Sequence, residues 1–357
     1  MTALTPRRSD AGRKKMRDEL KTPDTAQHAD LRRPFGESLV KGVLEGDFRS
    51  VARLITLVED GGPESTAFLR ALFPHTGRSF TIGVTGSPGS GKSTLVDCLA
   101  GHYRGMGLKV GIIAVDPTSP FTGGAILGDR IRMQSRSLDS GTFIRSMATR
   151  GQLGGLSRAT ADALMILDSA GFDVVLVETV GVGQDEVEVA RAAQATLLLL
   201  VPGMGDDIQA MKAGIMEIGD VFVVNKADHA GADRVEAEIC TLVSISARSD
   251  GWKPEVVRTV ASEGRGIDAC AGAIERFRGF LTASEPGRDR SLHIQRDRLL
   301  ELVRSKMLVD LLSRPGCAEL VDALARQVVM REIDPFSAAD QLLACYCGSK
   351  GHPREAM

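Results

Sequence analysis

A glycine-rich segment at residues 86–93, Gly-Ser-Pro-Gly-Ser-Gly-Lys-Ser, constrains the fold most. It follows an apolar run at residues 81–85 and precedes a helical pattern that begins at Leu95. A strand, a glycine loop and a helix N-terminus in this order bind phosphate through backbone N–H groups and the helix dipole. In such a loop Lys92 bridges the β- and γ-phosphates, and the Ser93 hydroxyl is a ligand of Mg²⁺. The segment therefore predicts a nucleoside triphosphate site, with these binding residues: Gly86, Ser87, Pro88, Gly89, Ser90, Gly91, Lys92, Ser93 and Thr94.

A second motif indicates which base is bound. The apolar pattern at residues 221–224 ends in Asn225-Lys226-Ala227-Asp228. The Asp228 carboxylate can accept from both N1–H and N2–H of guanine, donors that adenine lacks, while the Asn225 amide supports the base and its loop and the Lys226 stem lies along the ring. Alone, these four residues also fit a solvated turn at a strand end. Together with the phosphate loop they predict GTP rather than ATP, because a buried partner left unpaired discriminates strongly.

Composition excludes several classes of partner. The 357 residues carry a net charge of −2 and the pI is near 6.3, so neither nucleic acid nor a membrane surface is an expected partner. No apolar stretch reaches the roughly 18 residues of a membrane span, and the longest, at residues 195–201, has the length of a buried strand. Six dispersed cysteines fit reduced thiols, which predicts a cytoplasmic protein.

The chain divides into four predicted parts. Residues 1–36 are basic with few aliphatic side chains, which predicts a disordered tail. The alternative, a transit peptide, is disfavoured because acidic residues interrupt the tail. Residues 37–79 form a helical segment, residues 80–283 the nucleotide-binding domain, and residues 284–357 a C-terminal helical arm.

Alternating strand and helix patterns predict an α/β domain with a mainly parallel sheet and helices on both faces. In open sheets of this kind, ligands bind beyond the carboxyl ends of the strands. Functional residues should therefore follow the strands directly. The predicted strands are residues 80–85, 109–115, 142–146, 173–178, 196–201, 221–225 and 256–260.

Three acidic residues stand at or soon after strand ends. Asp116 follows the second strand, Asp129 lies in the loop beyond it, and Glu178 ends the fourth strand. Mg²⁺ takes oxygen ligands and keeps waters, so these carboxylates suit direct or water-mediated coordination. Each one alone could equally be a helix N-cap. Three of them in one triphosphate domain favour a metal site.

Five motifs together resemble one family: residues 86–94, 115–130, 177–184 (Val-Glu-Thr-Val-Gly-Val-Gly-Gln), 225–228 and 261–266 (Ala-Ser-Glu-Gly-Arg-Gly). The chain is similar to the methylmalonyl-CoA mutase-associated G proteins, also called ArgK-type transport kinases, from about residue 37 to residue 345. The loop after Asp116 makes the resemblance specific, since ordinary Ras-like GTPases do not share it.

The resemblance implies both fold and function. The fold would be a P-loop NTPase of the SIMIBI class, with an N-terminal helical layer and a C-terminal helical arm that forms a homodimer. The activity would be slow hydrolysis of GTP to GDP with Mg²⁺, by a chaperone that gates adenosylcobalamin loading of an acyl-CoA mutase and protects that enzyme. The mutase, which itself holds adenosylcobalamin, and a cobalamin adenosyltransferase are the implied partners.

The resemblance also assigns roles to single residues. Lys92, Asp116, Asp129 and Glu178 would serve hydrolysis, and Ser93 would bind Mg²⁺ directly with the three carboxylates around it. Gly181 would sense the γ-phosphate, and residues 201–212 would be a switch whose order follows the nucleotide. Gln184 is placed as a switch contact, because it stands three residues after Gly181. Ala261, Ser262 and Glu263 complete the nucleotide site.

The C-terminal arm contains an amphipathic helix that needs a partner surface. That surface is either a second copy of the chain or the nucleotide domain of the same chain. Further helices are predicted at residues 318–330 and 335–346. The apolar stripe comprises Leu299, Leu300, Val303, Met307, Leu308, Leu311 and Leu312.

Three alternative functions remain open. A nickel- or cobalt-type metallochaperone GTPase would show a histidine-rich tract or a Cys-x-x-Cys motif, whereas this chain has six dispersed histidines and only Cys345-Tyr-Cys347. A P-loop kinase linked to amino-acid transport would seldom need a guanine motif. A purely structural dimer module would not need three carboxylates near a phosphate loop.

Overall fold

The computed structural model describes residues 34–61, 64–116, 139–148, 155–179, 192–203, 219–245, 248 and 250–348, and elements are numbered here along these residues. Most of the predicted basic tail, residues 1–33, lies outside them. The first helix begins at Pro34, three residues before the start of the predicted helical segment at residue 37. A proline suits the first turn of a helix, where its missing N–H has no acceptor to lose.

A helical segment precedes the sheet, as predicted. In the described residues it comprises α1 (Pro34–Leu44), α2 (Phe48–Glu59) and α3 (Ser65–Leu72). The Asp47 carboxylate caps α2 by accepting from the Ser50 N–H at 2.9 Å. The buried face of α2 has helical spacing and joins a core with the sheet, through Val51, Leu54, Ile55 and Val58.

All seven predicted strands are present, with ends shifted by one or two residues. They form one sheet in the order β3-β2-β4-β1-β5-β6-β7, and every pairing is parallel. The predicted α/β class is therefore confirmed. The strands are β1 (Phe80–Gly86), β2 (Val110–Asp116), β3 (Thr142–Ala148), β4 (Val174–Thr179), β5 (Ala195–Leu200), β6 (Val221–Val224) and β7 (Glu255–Arg258).

Helices cover both faces of the sheet. On one face α4 (Lys92–Gly105) and α7 (Ile267–Ala283) pack on alternate strand residues such as Ile82 and Leu197. On the other face lie α5 (Gly155–Ser169), together with the N-terminal helices, and α6 (Ala232–Ile245). The central strands β1, β4, β5 and β6 are buried on both sides, which is why their sequences are almost continuously apolar.

The last two predicted strands, 221–225 and 256–260, are too long. β6 ends at Val224 and β7 at Arg258. Beyond these ends Val260 turns away from the sheet, since its N–H donates to the Arg265 carbonyl at 3.0 Å. Asn225 and Thr259 therefore lie at the carboxyl edge, where ligands bind in such sheets.

The arm consists of α8 (Glu285–Leu312), α9 (Cys317–Val329) and α10 (Pro335–Gly348). The last two match the predicted helices to within two residues. Asp334 starts α10 by accepting the N–H groups of Phe336 and Ser337, both at 2.9 Å. None of the helices in the described ranges is long and apolar enough to cross a membrane.

The polar side of α8, not its apolar stripe, faces the body of the protein. Arg290 pairs with the buried Asp220 at 2.6 Å, and Arg298 pairs with Asp162 of α5 at 3.3 Å. All predicted stripe residues except the half-buried Leu311 are exposed. In the described part of the chain the stripe therefore does not pack on the nucleotide domain, which is the alternative that the sequence left open. With Leu292, the exposed residues that lie opposite Arg298 form what we call the outer stripe: Leu292, Leu299, Leu300, Val303 and Met307.

Candidate nucleotide site

The phosphate loop connects β1 to α4, as predicted. Two of its glycines are required by their surroundings. Gly86 has φ +142°, and a Cβ there would overlap the Leu199 carbonyl of β5. Gly91 has φ +93°, and a Cβ there would overlap the amide of Asn225. Any side chain at either position would displace the loop, because left-handed backbone and close approach both favour glycine.

Lys92 curls back over the loop that it follows. Its ammonium donates to the carbonyls of Gly86 at 2.6 Å and Ser87 at 2.9 Å, and the residue is buried. These contacts hold a positive charge within the concave side of the glycine loop. A buried cation at a helix N-terminus is suited to bind a phosphate.

Ser93 and Glu178 lie in direct contact. The Ser93 hydroxyl donates to Oε1 of Glu178, and the glutamate residue is 5% exposed. Strand register explains the contact, because Glu178 of β4 lies beside Val84 of β1, two residues before the loop. A hydroxyl and a carboxylate side by side are oxygen donors of the kind Mg²⁺ prefers, so this pair fits the predicted metal.

The structure describes less of the other residues that were predicted to form the metal and switch sites. Asp116 ends β2, and its backbone is near Glu178, since Val115 pairs with Thr179, the residue after Glu178. The Asp116 side chain is not described. Asp129, Gly181, Gln184 and residues 204–212 lie outside the described residues.

Asn225 joins the base motif to the phosphate loop. Its Nδ2 donates to the Ser90 carbonyl at 2.8 Å. Its Oδ1 accepts from the Thr259 hydroxyl at 2.9 Å and from the Ala261 N–H at 3.2 Å. The amide is 2% exposed. The amide therefore holds the loops at this edge of the sheet together, and it is not open to a ligand; its predicted support of the base stays a prediction.

Lys226 and Asp228 occupy the same turn. Lys226 has φ +53°, and its ammonium donates to the Gly89 carbonyl at 2.9 Å. The Lys226 stem therefore connects this turn to the phosphate loop, and its stacking on the base stays a prediction. The Asp228 side chain is 40% exposed, so its carboxylate is accessible to a ligand.

The third segment of the site is a short 3₁₀ turn, Ala261–Glu263. The Cys98 thiol of α4 donates to the Ala261 carbonyl at 3.1 Å, which ties this turn to the helix that follows the phosphate loop. Ser262 and Glu263 are exposed, as are Pro88 and Thr94 on the phosphate loop side.

Sequence reasoning missed two threonine contacts at this edge of the sheet. Thr259 binds Asn225, and the Thr179 hydroxyl of β4 donates to the Thr85 hydroxyl of β1 at 3.2 Å. All three threonines are buried. Buried threonines are common in strands, so no signal in the sequence distinguishes these from packing residues.

A second metal site has no support among the described residues. They contain no group of three or more histidine, cysteine or acidic side chains placed to hold a metal. Burial raises the pKa of the Cys270 thiol to about 12, and a thiol must lose its proton to bind a metal. The side chains of Cys345 and Cys347 lie outside the described part.

Comparisons with known proteins agree with this geometry. Residues 51–315 match the family model described as methylmalonyl Co-A mutase-associated GTPase MeaB. A putative GTPase of Pyrococcus abyssi is 46% identical over 311 residues, which are 86% of this chain and 95% of that protein. The mitochondrial methylmalonic aciduria type A homolog of Mus musculus is 32% identical over 336 residues, 89% of this chain and 81% of that one.

A solved structure supports the same assignment. The crystal structure of an LAO/AO transport system kinase superposes with a TM-score of 0.66 at 29% identity and covers 91% of this chain and 99% of that one. The fold is thus that of the P-loop GTPases. The family model covers well over half of the chain, and the phosphate loop and the guanine motif meet in one place. The chain belongs to the methylmalonyl-CoA mutase-associated GTPase family.

Proposed function

We propose that this protein binds GTP with Mg²⁺, hydrolyses it slowly, and uses the nucleotide state to control a partner enzyme. One observation carries the nucleotide assignment: the Asn225 amide donates to the Ser90 carbonyl at 2.8 Å. This bond places the guanine motif against the phosphate loop, so the two motifs serve a single ligand.

Guanine selectivity comes from Asp228. Its accessible carboxylate accepts from N1–H and N2–H of guanine, while adenine offers a lone pair at N1 and no amino group at position 2. Bound adenine would leave the carboxylate without donors, which is costly in a desolvated site. This is the reason that we assign GTP and not ATP.

Hydrolysis depends on groups that bind the phosphates and the metal. Lys92 exchanges its two carbonyl partners for the β- and γ-phosphates. Ser93 and the carboxylates of Asp116, Asp129 and Glu178 would hold Mg²⁺ directly or through water, and the ion would supply positive charge to neutralise the phosphates. Turnover is slow because Val182 follows Gly181, so no glutamine stands next to the glycine to orient water.

The partner is an adenosylcobalamin-dependent acyl-CoA mutase. The family match and the likeness to the methylmalonic aciduria type A homolog support this assignment. In this role the GTPase gates loading of adenosylcobalamin into the mutase, with a cobalamin adenosyltransferase as the source, and protects the mutase from inactivation. Residues 201–212 carry the nucleotide signal to the surface. The protein acts in the cytoplasm.

We further propose that the outer stripe forms a homodimer. Its five apolar side chains are 44% to 67% exposed and lie on the side of α8 that faces away from the body. An exposed apolar face of this kind marks a protein interface. A second copy of the chain presents the same face, so two stripes can cover each other in an isologous contact.

Two measurements test the proposed function. Titration calorimetry with GTP, GDP and ATP should show binding of the guanine nucleotides and far weaker binding of ATP; equal affinities would contradict the guanine assignment. Phosphate release with and without the mutase should show a slow basal rate that the mutase raises. Fast hydrolysis by the protein alone would exclude the regulatory role.

The same preparations distinguish the alternatives. Stoichiometric binding of nickel or cobalt ions with stimulation of GTP hydrolysis would favour a metallochaperone. Transfer of phosphate from ATP to a transport protein would favour a kinase.

A further inference from the structure

Thr259 lies immediately after β7 and is buried, with 1% of its surface exposed. Three of its polar groups bind the turn that carries the guanine motif. Its N–H donates to the Val224 carbonyl at 2.9 Å, its carbonyl accepts from the Ala227 N–H at 3.0 Å, and its hydroxyl donates to Asn225 Oδ1 at 2.9 Å. The two backbone bonds would form with any residue at this position, whereas the third needs a hydroxyl.

The surroundings of Asn225 fix the direction of that third bond. The Ser90 carbonyl can only accept, so the amide nitrogen must face it. The Ala261 N–H can only donate, so the amide oxygen must face the other way. The Thr259 hydroxyl is on the oxygen side and must therefore donate its proton.

Asn225 thus connects three segments of the site: the phosphate loop, the guanine turn and the turn after β7. Lys226 adds a second link between the guanine turn and the loop, through the Gly89 carbonyl. Space around the amide is tight, since a Cβ on Gly91 would overlap it. Without the Thr259 hydroxyl, Oδ1 would keep a single donor and the amide could tilt, and it would then bind the Ser90 carbonyl less well.

We propose that Thr259 is a positioning residue that sets the affinity for guanine nucleotides by locking the Asn225 amide. It contacts no nucleotide itself. It acts by holding the base-binding turn and the phosphate loop in one fixed arrangement, so that base and phosphates are bound together. This inference rests on the proposed function, because it requires that guanine nucleotides bind at this site.

The test compares three single variants with the wild-type protein by titration calorimetry with GDP and GTP. Thr259→Val removes the hydroxyl at nearly constant volume and should weaken both nucleotides about tenfold, the usual cost of leaving a buried acceptor short of a donor. Thr259→Ser restores the hydroxyl and should bind within about twofold of the wild type.

Thr196→Val is the matched control. Thr196 of β5 is fully buried, and its hydroxyl has no hydrogen-bond partner in the described part of the chain. The same substitution there should leave both affinities unchanged. If Thr196→Val weakens binding as much as Thr259→Val does, the effect is general packing and the inference is wrong.

A double-mutant cycle separates positioning from a structural role. In an Asn225→Ala background, Thr259→Val should have no further effect on affinity, because the amide through which it acts is gone. Additive losses would overturn the inference, as would wild-type affinity in Thr259→Val alone. A wild-type protein that binds no guanine nucleotide would instead overturn the proposed function, and this inference with it.

Discussion

The carboxyl edge of the sheet and the helix α8 both contain polar side chains that bind other parts of the chain. They differ in their apolar residues, which are buried at the edge of the sheet and exposed on α8. At the nucleotide edge, Asn225 and Glu178 are buried between apolar strands. Of α8, only Gly287 is buried, and the apolar residues of its outer stripe face away from the body. The edge is therefore stabilised by the core of its own chain, whereas the stripe needs a second surface.

The carboxyl edge of the sheet and α8 are held in place by different interactions. The carboxyl edge is fixed by strand register, which the core determines. The orientation of α8 depends on a few polar contacts: Arg290 with Asp220, Arg298 with Asp162, and the Arg158 guanidinium with the Ser305 hydroxyl at 3.2 Å. Burial raises the pKa of the Asp162 carboxyl, while Arg298 and Arg158 oppose that rise. Contacts of this kind give direction more than stability.

The largest expected effect is at Asp228. Asp228→Asn replaces two acceptor oxygens by one acceptor and one donor group, so GTP affinity should fall by about 10³-fold. The affinity for xanthosine triphosphate should rise, because xanthine carries a carbonyl at position 2 that accepts from the amide. Calorimetry with both nucleotides measures this change. His229→Gln, at the neighbouring position 3.8 Å from the carboxylate, is the control and should keep GTP selectivity. If Asp228→Asn still prefers GTP over xanthosine triphosphate as the wild type does, the turn does not determine which base is bound.

The second effect concerns the contact between Ser93 and Glu178. Glu178→Ala should lower the hydrolysis rate by about one to three orders of magnitude, because charge stabilisation in the transition state is lost. GDP, held mainly by the loop and the base motif, should still bind. Single-turnover phosphate release measures the hydrolysis rate, and titration calorimetry with GDP measures whether GDP still binds.

Asp129→Ala should give the same pattern as Glu178→Ala if both carboxylates hold Mg²⁺ or its waters. A variant of either residue that hydrolyses GTP at the wild-type rate would reduce that residue to a helix cap.

A third prediction addresses the outer stripe. Val303→Glu with Met307→Glu places two charges in the apolar face, and the dimer should weaken by about a hundredfold or more, since charges in an apolar contact are strongly unfavourable. Sedimentation at several concentrations measures the change. Gln295→Glu adds charge to an exposed position beside the stripe and should leave the dimer intact. A wild-type chain that sediments as a monomer would contradict the dimer itself.

The smallest effect is expected from the polar contacts of α8. The folded-state pKa of Asp162 is raised, so the folded state binds its proton more tightly than the unfolded state does. Its contribution to stability is therefore present at low pH and is lost as pH rises from about 4 through the folded-state pKa.

Asp162→Asn should remove this part of the pH dependence of the unfolding free energy. Urea unfolding between pH 4 and pH 8 is the measurement. Asp139 gives the opposite control when the range is extended below pH 4, because its bond to Arg104 lowers its pKa and its contribution to stability is lost as pH falls below the unfolded-state value. Parallel pH profiles of the wild type and Asp162→Asn would contradict the expectation.

The parallel α/β sheet, the phosphate loop and the guanine motif could all be predicted from the amino-acid sequence. These are local patterns: apolar strands recur between helical segments, and glycines stand where the backbone must take a left-handed φ or approach another strand. Even the placement of Ser93 and Glu178 at one edge follows, because parallel strands end together. The predictions failed by a few residues at the ends of elements, for example at Pro34 and Val224, where capping and turn contacts decide the boundary.

The contacts that these residues make depend on the three-dimensional packing of the chain and could not be predicted. Nothing in the spacing of Asn225 and Thr259 indicates that the Thr259 hydroxyl donates to the Asn225 amide oxygen. This contact depends on β6 and β7 being neighbours in the sheet. The same is true of α8. Its sequence shows an apolar face and a polar face, but which one turns to the body depends on buried partners, Asp220 and Asp162, that are distant in the chain. The spacing of apolar residues in the sequence reflects local helix and strand geometry. Contacts between residues distant in the sequence are set by the packing of the whole chain.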